Sequence, residues 1–347
     1  MHVVADLEQR LGVLATAGAD FPRPSDKNAV MTNDYAQHLA ALHAGFEAPA
    51  ELITAAARAV TPSPILAKER IVHGEANEVY GVTFESGLQA ILRIARRSSG
   101  VFEKEAWAIG RCRALGMSVP EVLSLQSLQD DGESLELCFL ERLPGQRLSD
   151  SLSLAPDVLR RVVREVGEQI SRMHGMGPAD LGGAQRFFEN DTDDFLATEA
   201  EFVDLGGKAG LDGRALERAF RFFEAATTRH GPLPHRVTHN DLRACHVLVH
   251  DGQLSGIIDF GQVSMDSPIN DLAKWDYWES PALPVAWLQE GYSNKSLFGE
   301  DYVELFRAFR IANALWVLRW YSLTGYAAGV DRAASSITGY LAEIGLG

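Results

Sequence analysis

The chain has 347 residues, 46% hydrophobic and 23% charged, with a formal net charge of −15. That length exceeds one small core and predicts two lobes, while the acidic balance disfavours nucleic acid, whose phosphates need basic patches, and tolerates a cationic small substrate. The three cysteines, Cys112, Cys138 and Cys245, are scattered, odd in number and form no CxxC, which argues against a disulfide framework or a zinc site and fits a reducing cytoplasm.

Residues 1–20 carry Asp6, Glu8, Arg10 and Asp20 without an apolar stretch, so no signal peptide is expected. No run approaches the roughly 18–20 apolar residues of a membrane span, so no membrane partner is expected. Residues 1–30 read as a loosely attached extension ending in the polar, Pro-containing FPRPSDKN. YAQHLAALHAGF and PAELITAAARAV follow and read as helices. From Ile65 the pattern changes. RIVHGEANEVYGVTF predicts two strands joined by a turn at His73–Asn77, and LQAILRIA a third strand. EKEAWAIGRCRALG predicts a helix stopped by Gly116, and VPEVLSL and LELCFLERL two more strands.

The remainder reads as mainly helical. VLRRVVREVGEQISRMH places Val158, Leu159, Val162, Val163, Val166, Ile170 and Met173 on one stripe. More helix is expected over 187–228, 301–325 and 332–345. Between them HVLVHDGQLSGIIDF predicts a small hairpin about an Asp-Gly turn. The organisation expected is an extension over 1–30, an N-terminal lobe over 31–143 and a helical C-terminal lobe over 144–347. The class is α+β, with a small β-rich lobe and a larger helical one.

The chemistry concentrates at the hairpin. Its turn brings His246, read as opening one strand, near Asp259, read as ending the other, and Asp241 stands in the loop just before. Such a cluster could hold a divalent cation between two ligands and leave a third carboxylate to take a proton from an attacking hydroxyl, as phosphoryl transfer requires.

H-x-D-x-x-x-x-(N or H), a hairpin and then I-D-F-G resembles the aminoglycoside phosphotransferase family, antibiotic kinases with a protein-kinase-like fold. The residues here are His239, Asp241, His246, Ile258, Asp259, Phe260 and Gly261. Asp266-Ser-Pro268 followed by Asp271-Leu-Ala is similar to the family's D-x-P-x-x-D-L-A run. Upstream, ILRIARR and EKEAWAIG resemble its phosphate-binding strand and the helix that supplies an ion-pair partner, and CFLERLPG its interlobe hinge. The likeness covers roughly residues 65–285 in order.

This resemblance implies a bilobal kinase-like fold and transfer of the γ-phosphate of ATP or GTP, with Mg²⁺, to a hydroxyl of an antibiotic. It implies Asp241 as catalytic base, His246 and Asp259 as metal ligands, and His239 and Asp271 as braces of the catalytic loop. Nucleotide contacts would come from Arg93, Glu105, Gly74, Asn77, Glu141 and Leu143. Glu103 is the rival of Glu105. For the acceptor, Asp266, Trp275, Trp278 and Glu279 offer carboxylates beside rings, joined by the acidic ENDTDD at 189–194, a mixture that would suit a cationic sugar.

Two departures bear on the substrate. His246 stands where most of the family has Asn, a softer ligand than Mg²⁺ prefers. Macrolide phosphotransferases are similar there, with H-G-D-L-x-x-G-H, but Asn240 and Cys245 replace their glycines, and the upstream run is as close to hygromycin-type kinases. The turn His73-Gly-Glu-Ala-Asn77 has a single glycine, where protein kinases have G-x-G-x-x-G; backbone N–H groups at a turn can still meet phosphate. A metabolic kinase acting on choline, homoserine or a sugar, and a nucleotide-binding pseudokinase, are the competing readings.

Overall fold

The computed structural model describes residues 33–44, 47–72, 77–95, 101–130, 133–188, 195–229 and 233–346. The extension over 1–30 and the acidic stretch 189–194 therefore lie outside the described residues. Two helices, α1 (Asn33–His43) and α2 (Ala50–Ala57), lead into a sheet. Its strands are β1 (Ile65–Ile71), β2 (Glu78–Phe84), β3 (Gln89–Ala95), β4 (Val122–Asp130) and β5 (Glu133–Glu141), with α3 (Val101–Ala114) inserted after β3. All pairings are antiparallel, in the order β1-β2-β3-β5-β4.

Alternation along the strands explains the two faces. Val82, Phe84, Leu92, Ile94, Leu135, Leu137 and Phe139 share one buried cluster, closed by Ile53, Ala56 and Ala57 of α2. Full burial of each large apolar side chain is worth about 1.5–3 kcal/mol. Successive strand residues point to opposite faces. Arg93, between Leu92 and Ile94, is thereby turned to the other face, toward α3.

The rest is mainly helical: α4 (Pro156–Met173), α5 (Glu199–Lys208), α6 (Gly213–Arg229), α7 (Pro268–Glu279), α8 (Val285–Gly291), α9 (Tyr302–Thr324) and α10 (Ala327–Glu343). Two short sheets are set among them. β6 (Gln146–Arg147) pairs with the hairpin of β8 (Val247–His250) and β9 (Gln253–Ile257), and β7 (Arg236–Thr238) pairs with β10 (Ser264–Asp266). Helix α4 starts on Pro156, whose fixed φ suits a first turn, and buries Leu159, Val162, Val163, Val166, Ile170 and Met173. Val158, read on the same stripe, is only half-buried. The packing of α4 on α8 needs two glycines: a Cβ at Gly167 would stand 2.0 Å from the Leu288 carbonyl oxygen, and one at Gly291 1.7 Å from that of Arg164.

One apolar cluster ties the two parts together. It runs from Phe102, Ile109 and Cys112 of α3 through Val162 and Val166 of α4 to Val247, Ile257 and Phe260 at the hairpin. A second fills the far helical side with Phe202, Leu216, Phe220, Leu315 and Ile337. Helix α1, read as part of the front lobe, contacts both parts. The Arg70 guanidinium donates to His43 Nδ1 at 3.2 Å, while the rings of Tyr35 and His38 lie 5.4 and 4.9 Å from that of Tyr326.

Candidate active site

The loop between β7 and β8 is built around one buried carboxylate. Asp271, in the first turn of α7, is fully buried. It accepts the backbone N–H of His239 and that of Asn240, each at 2.7 Å, and pairs with His174 Nε2 at 2.9 Å. His174 is held in turn by the Tyr292 hydroxyl at 2.8 Å. Asn240 adopts φ 56°, a left-handed conformation that Asn tolerates better than most residues. Lys274 secures it by donating to its carbonyl and, at 2.9 Å, to its side-chain oxygen. Burial pushes the His239 imidazole pKa down. The neutral ring donates from Nε2 to the Ile258 carbonyl at 3.1 Å and accepts the Asp241 N–H at Nδ1 (3.3 Å).

These bonds turn Asp241 outward beside the hairpin. His246 does not open β8 as read from the sequence; it closes a short 3-10 turn, Ala244–His246, just before that strand. There its Nδ1–H donates to the Asp241 carbonyl at 2.8 Å, leaving Nε2 3.4 Å from Asp259 Oδ2. Asp259 lies two residues beyond β9 at φ 67°. Ligand atoms of Asp241, His246 and Asp259 all fall within 4.8 Å of one another, the one such group of three among the described residues.

That set fits a divalent cation. Ligands of one Mg²⁺ at about 2.1 Å stand about 3 Å apart along an octahedral edge and about 4 Å across it, close to the separations present. Asp259 supplies a hard oxygen and the imidazole is the softer ligand, with the Asp241 carboxylate beside them. Burial lowers the His246 pKa, but Cys245, Asp241 and Asp259 outweigh it and push it up to about 10. In the cation-free protein an imidazolium therefore bridges the two carboxylates.

The sheet contributes the second half of the site. Arg93, nearly buried, pairs with Glu105 of α3 and, at 3.0 Å, with Asp259 Oδ1. Burial opposes the charge on Arg93, yet Glu105 and Asp259 keep it ionised. Burial also presses on Asp259, but Arg93, His246 and His239 hold its carboxyl well below the usual range. The rival Glu103 points elsewhere, to Arg186 at 2.9 Å.

Of the other residues singled out, Glu141 ends β5 and takes the Glu121 N–H at 3.1 Å. Half-buried Leu143 packs on β9, where a Cβ at Gly256 would be 2.5 Å from its Cδ1. Asn77 is half-buried just ahead of β2, and Gly74 lies outside the described residues.

The acceptor-side reading needs correction. Trp275 is fully buried and its indole N–H donates to the Leu283 carbonyl at 2.8 Å, so it is core and presents no ring to a ligand. Glu279 is 2% exposed and accepts the Ala244 N–H at 2.8 Å; it braces the loop between β7 and β8. Asp266 accepts from Ser267 N–H and from the Asn270 amide. Asp276, on the same helix as Glu279, pairs with Arg310 at 2.9 Å. Trp278 alone keeps a half-exposed ring, and Arg243 covers it. Three groups escaped the sequence reading: His174, Lys274 and Arg243. Only Arg243, a cation two residues after Asp241, could have been noticed; His174 and Lys274 carry no local signal.

A model of the phosphotransferase enzyme family (APH) matches residues 69–306. Comparison by sequence with curated proteins finds no match. Among solved structures, the GDP and kanamycin complex of APH(2'')-IIia is 16% identical with a TM-score of 0.64, covering 84% of this chain and 99% of that one. A ternary complex of a thermostable aminoglycoside phosphotransferase APH(4)-Ia with ADP and hygromycin B is 16% identical, with a TM-score of 0.61 and coverage of 80% and 94%. Amicoumacin kinase hAmiN with AMP-PNP, Ca²⁺ and Ami is 17% identical, with a TM-score of 0.59 and coverage of 78% and 87%. At such identities the likeness is one of fold, the kinase-like α+β architecture with a β-rich front and a helical remainder.

Proposed function

This chain belongs to the phosphotransferase enzyme family and is a small-molecule kinase, and we propose that its acceptor is an antibiotic or related natural product, phosphorylated on a hydroxyl at the expense of ATP or GTP. The observation that carries this reading is the convergence at Asp241. Its side chain is 27% exposed and stands 3.5 Å from His246, within reach of Asp259, which is itself bonded to Arg93 from the sheet. Solved structures of the same fold hold kanamycin with GDP, hygromycin B with ADP or Ami with AMP-PNP, so both adenine and guanine nucleotides occur among them.

In this reading Asp241 orients the acceptor hydroxyl and takes its proton. The hydroxyl oxygen forms the new bond to the γ-phosphorus as the bond to the bridging oxygen breaks, releasing ADP or GDP. Arg93, fixed by Glu105, faces the α- and β-phosphates, and Asn77 offers backbone just ahead of β2. The backbone over Glu141–Leu143 meets the purine edge. His246 and Asp259 would hold Mg²⁺, which supplies charge against the phosphate oxygens. The backbone bonds of Asp271 and His239 fix Asp241 before substrate arrives, so positioning accounts for much of the rate. Phosphorylation would inactivate the antibiotic, as resistance or self-protection in the cytoplasm.

The test is a mass-spectrometric screen. Purified protein, Mg²⁺ and either nucleotide are incubated with aminoglycosides, macrolides, peptide and nucleoside antibiotics and small metabolites. One antibiotic class should gain a single phosphate. Asp241→Asn should lower kcat by about 10²–10⁴-fold, the range for loss of a general base, and Asp259→Ala should abolish turnover, both with an unchanged circular dichroism spectrum. Transfer to a metabolite alone, or full activity in both variants, would overturn the reading.

A further inference from the structure

The loop between β7 and β8 carries a cation, Arg243, that is held by a ring and by no ion pair among the described residues. Arg243 lies two residues after Asp241, and its guanidinium carbon stands 3.9 Å from the centroid of the Trp278 ring. Among the described residues it forms no ion pair, and its Nε–H is buried without an acceptor. Groups close enough to act on its charge are Cys245, Asp241, Tyr321 and Glu279. Asp241 faces His246, and Glu279 is bonded to the Ala244 N–H. Lys274, bonded to Asn240, is a second cation flanking Asp241. Asp276 and Glu279, the carboxylates on α7 that would have greeted a cationic acceptor, are already taken by Arg310 and by the loop.

A guanidinium cannot shed its charge, and a buried donor without a partner is unfavourable, so such a group is poised for a ligand. Trp278 holds the guanidinium by its face, which leaves the N–H edge for paired hydrogen bonds. The stack is on α7, on the helical side of Asp241, whereas Arg93 and Glu105 approach from the sheet. That separates Arg243 from the groups assigned to the donor phosphates.

We propose that Arg243 is a specificity-determining residue that binds an anionic oxygen group, a carboxylate or a phosphate, on the acceptor beside the hydroxyl to be phosphorylated. This rests on the phosphotransferase reading of Asp241. The same cation, with Lys274, disfavours a polycationic acceptor.

The experiment uses matched probes that differ only in charge: gluconate and gluconamide, and hydroxymethylbenzoate and its amide. Full-length protein loaded with Mg²⁺ and AMP-PNP is titrated with each by calorimetry. The acid should bind about tenfold tighter than its amide, the worth of a charge-assisted pair. Arg243→Met should erase that preference without changing AMP-PNP affinity, and Arg243→Lys, which keeps charge but loses the fork, should retain part of it. Equal binding of acid and amide, no binding of either, or a loss of AMP-PNP affinity in Arg243→Met would overturn the proposal; the last would assign the guanidinium to the donor phosphates. With ATP in place of AMP-PNP, the preferred acid should gain a phosphate. A charge preference in binding with no phosphate gained would leave the role of Arg243 standing and count against the phosphotransferase reading instead.

Discussion

Replacing Asp271 with Asn tests how the loop between β7 and β8 is held. The wild-type carboxylate is fully buried and serves three donors: the His239 and Asn240 N–H groups at 2.7 Å and His174 at 2.9 Å. Asparagine has the same shape but a single acceptor oxygen. Its amide must then face one of the backbone N–H groups, leaving a buried donor unmet at about 1–3 kcal/mol and removing the charge from the remaining bonds. The loss should reach about 2–4 kcal/mol, a large share of the roughly 5–15 kcal/mol that holds a domain folded. Equilibrium urea unfolding reads it as a lower midpoint at unchanged slope. The pH dependence supplies a second check. Burial alone would raise the Asp271 pKa, but the bond and charge of His174, with His239, hold it below the ordinary range. A carboxylate depressed in the folded state stabilises it above the unfolded value, about 3.9, and loses that contribution as pH falls through the folded value. The gap between wild type and variant should therefore be full near neutral pH and close in acid. A difference under about 0.5 kcal/mol at neutral pH, the noise of an ordinary surface change, or a gap that widens in acid, would refute the argument.

Three further outcomes follow from the charges around the hairpin and the sheet. His246 must lose its proton to ligate a cation, and in the cation-free protein it titrates at about 10; Mg²⁺ binding near neutral pH should therefore release about one proton and tighten with rising pH. Calorimetry in two buffers of different ionisation heat measures this, and binding with no proton released would contradict it. With no cation bound, the raised imidazolium stabilises the fold fully below its unfolded value of about 6.5, and that share is lost as pH rises through about 10. Arg93→Met leaves Glu105 buried and unpaired and should cost about 3–5 kcal/mol. Adding Glu105→Leu should recover most of that stability but not the affinity for AMP-PNP; a single variant as stable as wild type by thermal unfolding would sink this assignment.

The acidic composition was a weak guide to the acceptor. Asp266 and Glu279, read beside aromatic residues, suggested a cationic partner, yet both are spent on structure, as is Asp276 on the same helix as Glu279. Trp275 and Trp278, three positions apart, share a side of α7, and only the packing of α7 against its neighbours buries the first and leaves the second half-exposed.

What the sequence determined by itself was whatever depends on short stretches of chain. Period-two alternation in QAILRIA, the stripe of α4 and the Asp-Gly hairpin are local patterns, and the strands and helices form where those patterns stand. The cluster of Asp241, His246 and Asp259 was legible for the same reason, since one loop and one hairpin bring its members together. The tertiary structure decided the pairings across long separations. Arg93 reaches Asp259 across 166 positions, and Asp271 holds a loop 31 and 32 positions before it. Glu105 was preferred to Glu103 only by resemblance; laying the helix against the sheet is what pairs it with Arg93 and turns Glu103, two residues away, to another side. Whether a charged group is a tool or a brace depends on what folds around it, and burial of that kind is a property of the whole chain.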